Sequence, residues 1–106
     1  MERFKIGNYL VDVKRNQLTS SEQTLFIEPK VMDVLHYLAL NQGKVVSQQE
    51  LFDALWPNSL FSSGSILRCI AQLRKALGDD AKKQAVIHTH PKRGYSLQLN
   101  VEVLTS

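Results

Sequence analysis

The stretch SGSILRCIAQLRKALGDDAKKQAVIHTHPKRGY, residues 63–95, decides how the rest of the chain is organised. A helix over Gly64 to Leu77, turning about 100° per residue, gathers Ile66, Ile70, Leu73 and Leu77 into one narrow stripe that must be buried. Arg68, Gln72 and Lys75 fall roughly 140–200° away from Ile70, with Ser65 and Ala71 beside them. Two cations and an amide one turn apart suit a helix in a DNA major groove. Arg or Lys can bond the acceptor edge of guanine, and Gln can pair bidentately with adenine. The same residues decorate ordinary solvated helix faces, so the helix alone leaves both readings open.

The charge distribution favours the first. From Gly64 to Tyr95 there are seven Lys or Arg (Arg68, Arg74, Lys75, Lys82, Lys83, Lys92, Arg93) against Asp79 and Asp80, a net of +5. Residues 1–63 carry six basic and seven acidic groups, and the tail from Ser96 adds only Glu102, which together leave the chain at +3. A basic pole on a nearly neutral body is the electrostatic footprint of a polyanion-binding protein.

At 106 residues and 43% hydrophobic content the chain fits one compact domain, expected to fold as a monomeric unit. No run approaches the ~20 apolar residues of a membrane span, and the start, Met-Glu-Arg-Phe-Lys, lacks the apolar core of a secretion signal. The segment is therefore expected to be soluble, without membrane contact. A lone cysteine, Cys69, excludes an internal disulfide or thiolate metal cluster and suits a reducing cytosol. Packing is the preferred reading of Cys69 over redox chemistry, since no resolving thiol exists.

Residues 4–27 read as short extended pieces, with Phe4/Ile6 and Tyr9/Val11/Val13 alternating at a period of two between turn clusters, which predicts a small antiparallel sheet. Pro29 suits the first turn of a helix carrying Val31, Val34, Leu35 and Leu38, which Gly43 ends. Ser47-Gln48-Gln49-Glu50 matches a capping box with Val46 and Leu51 as its staple, opening a second helix that Pro57 stops. In the loop that follows, Leu60 and Phe61 are expected to plug the core rather than dock a partner. Gly78 closes the basic helix. Val86 to His90 and Tyr95 to Leu99 then form a hairpin around Pro91-Lys92-Arg93-Gly94, whose two cations can touch phosphates or the minor groove beside the helix.

Three helices and a hairpin, the last helix basic, is the order of a winged helix-turn-helix, although the connection before the last helix is longer than in a plain helix-turn-helix. Leu73-Arg74-Lys75-Ala76-Leu77-Gly78-Asp79-Asp80 and Arg93-Gly94-Tyr95 resemble signatures of the OmpR/PhoB-type winged-helix family. Gly7 to Leu18, Glu28-Pro29-Lys30 and Pro91 to Tyr95 resemble its ToxR/CadC branch, and the likeness runs from about Phe4 to Leu99. It implies an α+β fold with a four-stranded N-terminal antiparallel sheet, three helices and a C-terminal β-hairpin wing. It also implies sequence-specific binding of double-stranded DNA by a bacterial transcription regulator. Ser63 to Leu77 would be the recognition helix, with Arg68 and Gln72 facing bases, Ser65 beside them on the DNA-binding face, and Arg74, Lys75 and Thr89 near phosphates. Lys92, Arg93 and Tyr95 would belong to the wing. The loop Asn58-Ser59-Leu60-Phe61-Ser62 would belong to the region that can meet RNA polymerase. Two departures stand out. The family's response regulators usually carry a wing arginine where this chain has Pro91, which leaves Lys92 and Arg93 both open as the minor-groove residue. His90 stands where the branch commonly has an apolar side chain.

No receiver segment fits ahead of Met1, so the resemblance favours the branch whose members continue into a membrane anchor and periplasmic sensor. The 106 residues would then be the cytoplasmic part of a longer protein held in the inner membrane, and two copies are expected to pair on DNA. The rival reading is a winged-helix module that docks a protein. Enzymatic readings are thin. His88 and His90 share a strand face, but zinc needs three or four ligands and His36 lies far off in sequence. No glycine-rich phosphate loop or nucleophile motif occurs, and no metal or cofactor is expected.

Overall fold

The computed structural model describes residues 2–104. Four strands come first, β1 (Arg3–Ile6), β2 (Tyr9–Asp12), β3 (Gln17–Thr19) and β4 (Thr24–Phe26). Three helices follow, α1 (Pro29–Leu40), α2 (Gln48–Leu55) and α3 (Ser63–Ala76), then the hairpin β5 (Ile87–His90) and β6 (Gly94–Leu97) and a last strand, β7 (Val101–Val103). This is the winged-helix α+β fold, with one difference from the expected four-stranded sheet. The chain returns after the wing and β7 pairs antiparallel with β1, Phe4 opposite Val103 and Ile6 opposite Val101, giving the order β4-β3-β2-β1-β7. Without β7, the N–H and C=O groups on that side of β1 would form an open edge.

Alternation decides which side of the sheet faces inward. Phe4, Ile6, Val11 and Leu18 are fully buried, while Tyr9 and Val13 only flank the core. Against them pack Val31, Val34, Leu35 and Leu38 of α1, the Ile66, Ile70, Leu73 and Leu77 stripe of α3, and Ile87 and Leu97 of the hairpin. The stripe on the basic helix is therefore its anchor, which leaves the other face free.

Helix boundaries follow local chemistry. Pro29 opens α1. Ser47 Oγ accepts the Glu50 N–H at 3.0 Å, the first half of the capping box, and Val46 and Leu51 are buried as its staple. The second half is not made, because the Glu50 carboxylate instead accepts the Tyr37 hydroxyl at 2.7 Å and ties α2 to α1. Lys30 closes the other end of α2 by donating to the Leu55 carbonyl at 2.6 Å. At the end of α3 the backbone turns through Gly78 at φ +70°, and the Asp79 N–H returns to the Arg74 carbonyl at 2.7 Å.

The expectation that Leu60 and Phe61 plug the core fails. Leu60 is 94% exposed and Phe61 about half exposed. Phe52 is already stacked on Trp56 at 5.4 Å, so Phe61 meets it only edge-on at 5.2 Å, and the loop carries Leu60 outward.

Candidate nucleic-acid interface

With its apolar stripe buried, α3 presents Arg68, Ala71 and Lys75 to solvent, with Ser65 and Gln72 partly covered. These are the residues that helical spacing placed opposite Ile70. Arg68 is held: its Nη1 lies 3.1 Å from Glu28 Oε2, just before α1.

Arg74 goes the other way. It is 8% exposed, and its Nη2 donates to the Ile87 carbonyl and to Thr89 Oγ1, both at 2.8 Å. Tyr95 is also buried. Its backbone N–H and C=O bridge to Val46 at 2.9 and 2.7 Å, and its hydroxyl accepts from the Gln48 amide at 3.3 Å. Thr89 sits directly across the hairpin from Tyr95. Arg74, Thr89 and Tyr95 thus meet between helix and wing, while Lys75 stays on the surface.

At the wing tip Lys92 and Arg93 are exposed, and the turn closes through an Arg93 N–H to His90 carbonyl bond of 2.9 Å. Lys92 sits at φ +64° and Gly94 at φ +141°, and a side chain at 94 would collide with the Val46 carbonyl. Glycine there lets the wing base press against the segment leading into α2. Between α3 and the wing runs a cleft of about 570 Å³ lined by Leu67, Ala71, Arg74, Lys75, Thr89 and Tyr95 among others. Leu67 is half exposed there, a position that the residue pattern does not single out. It lies only about 60° round the helix from Ile70, so periodicity does not separate it from the buried stripe.

The connection from α3 to the wing is organised by one carboxylate. Asp79 Oδ1 accepts the N–H groups of Asp80 and Ala85, and Oδ2 those of Val86 and Ile87, at 2.8–3.2 Å. Burial pushes the Asp79 carboxyl up, but the four backbone donors together outweigh it and hold the group below its ordinary range. Asp80 Oδ1 accepts the N–H groups of Lys82 and Lys83, ordering the rest of the turn.

The histidines do not converge on a metal. The His88 and His90 rings lie 4.8 Å apart, His90 Nε2 is hydrogen-bonded to Ser96 Oγ at 2.8 Å, and His36 stacks near Phe4 in α1. No group of three His, Cys, Asp or Glu side chains able to hold an ion occurs among the described residues. Cys69 is fully buried, and burial pushes its thiol up, which fits packing. No helix among the described residues is long and apolar enough to cross a membrane.

Residues 22–97 match the family model described as "Transcriptional regulatory protein, C terminal". The chain belongs to this family. It is 36% identical over 98 residues to the transcriptional activator CadC of Escherichia coli K12, covering 92% of this chain and 19% of CadC. It is 31% identical over 101 residues to the cholera toxin transcriptional activator of Vibrio cholerae, covering 93% of this chain and 33% of that protein. The chain therefore spans only about a fifth to a third of these relatives. Among solved structures, the DNA-binding domain of E. coli CadC matches with a TM-score of 0.86 at 32% identity, over 98% of both chains. The DNA-binding domain of Klebsiella pneumoniae RstA, solved in complex with the RstA box, shares the fold at 22% identity, with a TM-score of 0.79 over 92% of this chain and 98% of that one. The OmpR/PhoB-type, CadC-like resemblance read from residues 73–80 and 91–95 is borne out.

Proposed function

We propose that this chain is the DNA-binding module of a bacterial transcription regulator, reading a duplex site with α3 in the major groove and the wing at the phosphates or minor groove, without catalysis. The observation that carries this reading is the fixed placement of an exposed cationic helix face beside an exposed cationic hairpin tip, joined through buried Arg74. The likeness to the CadC and RstA DNA-binding domains supports it. In this reading Arg68 and Gln72 face base edges with Ser65 beside them, Lys75 and Thr89 lie near phosphates, and Lys92 and Arg93 supply the wing charge. Arg74 and Tyr95 act from inside by setting the angle between helix and wing. Replacing Gln72 by Ala should cost about 1–3 kcal/mol on a preferred duplex and little on random DNA. Equal losses on both would remove the base-reading role.

The exposure of Leu60 favours a second surface: residues 58–62 dock a protein such as RNA polymerase while α3 holds DNA. A single module buries limited DNA surface, so two copies are expected to pair on neighbouring half-sites. Identical affinities for one-site and two-site duplexes of equal length would count against pairing. Acting on chromosomal DNA, the module would work in the cytoplasm, within a longer protein anchored in the inner membrane.

A further inference from the structure

We infer that Glu28 is a specificity-determining positioning residue: its carboxylate holds Arg68 so that the guanidinium is presented to one base edge rather than to the nearest phosphate. This rests on the proposed base-facing role of Arg68. The two residues are forty apart in sequence and belong to different elements, yet Arg68 Nη1 lies 3.1 Å from Glu28 Oε2 and 3.5 Å from Oε1. Both side chains remain about half exposed. An ion pair this open contributes little stability, so packing energy does not account for the placement.

Local structure supports the carboxylate where it stands. Glu28 is the residue before Pro29 at the start of α1, and its side chain makes no capping bond to that helix. It is therefore free to turn to Arg68, while the positive end of α1 favours its negative charge. The consequence for Arg68 follows from guanidinium geometry. Glu28 engages Nη1, leaving N–H donors on Nη2 and Nε, and two donors are what the O6 and N7 acceptors of guanine require. An untethered arginine on an exposed helix face instead has many rotamers and a dense array of phosphate oxygens to choose from. A negative charge at the same spot also repels the DNA backbone, so it lowers binding to every sequence while favouring the one that satisfies Arg68. Glu28 thus trades general affinity for discrimination.

The test uses the purified 106-residue chain, a duplex enriched by it from a random library, and that duplex with each base pair changed in turn. Circular dichroism confirms folding of each variant, which is expected because both side chains are exposed. Arg68→Ala should abolish discrimination at one base pair, identifying the position it reads. Glu28→Gln should bind random duplex DNA more tightly and lose about threefold or more of the discrimination at that same base pair. In the Arg68→Ala background, Glu28→Gln should no longer alter discrimination anywhere. If Glu28→Gln shifts all duplexes equally, or acts the same without Arg68, the positioning role is overturned while base reading by Arg68 stands. If Arg68→Ala changes discrimination at no base pair, base reading by Arg68 fails, and the role of Glu28 with it.

Discussion

The Arg74 guanidinium donates to the Thr89 hydroxyl at 2.8 Å, and the same Nη2 donates to the Ile87 carbonyl at 2.8 Å, so the last turn of α3 is pinned to the first strand of the wing. A residue that looks on paper like one more surface cation joins the two halves of the candidate DNA surface.

Arg74→Ala should therefore destabilise the fold by about 2–4 kcal/mol, since it removes a buried side chain and leaves the Ile87 carbonyl without that donor. Urea unfolding measures this, and a change below about 0.5 kcal/mol would place Arg74 among ordinary surface positions.

Lys92 and Arg93 should behave differently, because neither is buried. Replacing either by Ala should weaken preferred and random duplexes alike and lower the slope of log K against log salt by about one. A loss confined to the preferred duplex would show base reading from the wing instead.

Much of this was legible in the sequence, because it depends on near neighbours. Pro29, the Ser47 cap and Gly78 fixed helix ends through contacts within a few residues. The Ile66, Ile70, Leu73 and Leu77 stripe fixed which face of α3 is buried. What escaped depends on distant partners. Val101-Glu102-Val103 is too short to announce a strand and becomes one only against β1. Glu50 satisfies Tyr37 rather than its own helix start. Arg74 lies only about 40° round the helix from Ile70, so its burial was implicit in the same periodicity, but its charge concealed it.

Asp79 supplies a pH signature. Its four backbone donors hold the folded carboxyl below the ordinary aspartate range, so the stability it contributes is present above that range and is lost as pH falls through the folded pKa. Asp79→Asn should flatten the acid limb of a stability-against-pH curve. At neutral pH it should cost about 1–3 kcal/mol, because an amide cannot accept at both ends. An unchanged acid limb would assign acid sensitivity to other carboxylates.

Leu60 makes no comparable contribution to folding. Leu60→Ser should leave stability within about 0.5 kcal/mol and duplex binding unchanged, while reducing transcription in a reconstituted polymerase assay. Full transcription by the variant would remove the docking role of residues 58–62.

The most direct measurement is selection of bound sequences from randomised duplex DNA by the purified chain, with enriched duplexes retitrated at two salt concentrations. A shared motif, bound with a steep salt dependence and relaxed by Gln72→Ala, is the expected result. Enrichment without a motif, or no binding at low salt, would contradict sequence reading by α3 and the wing.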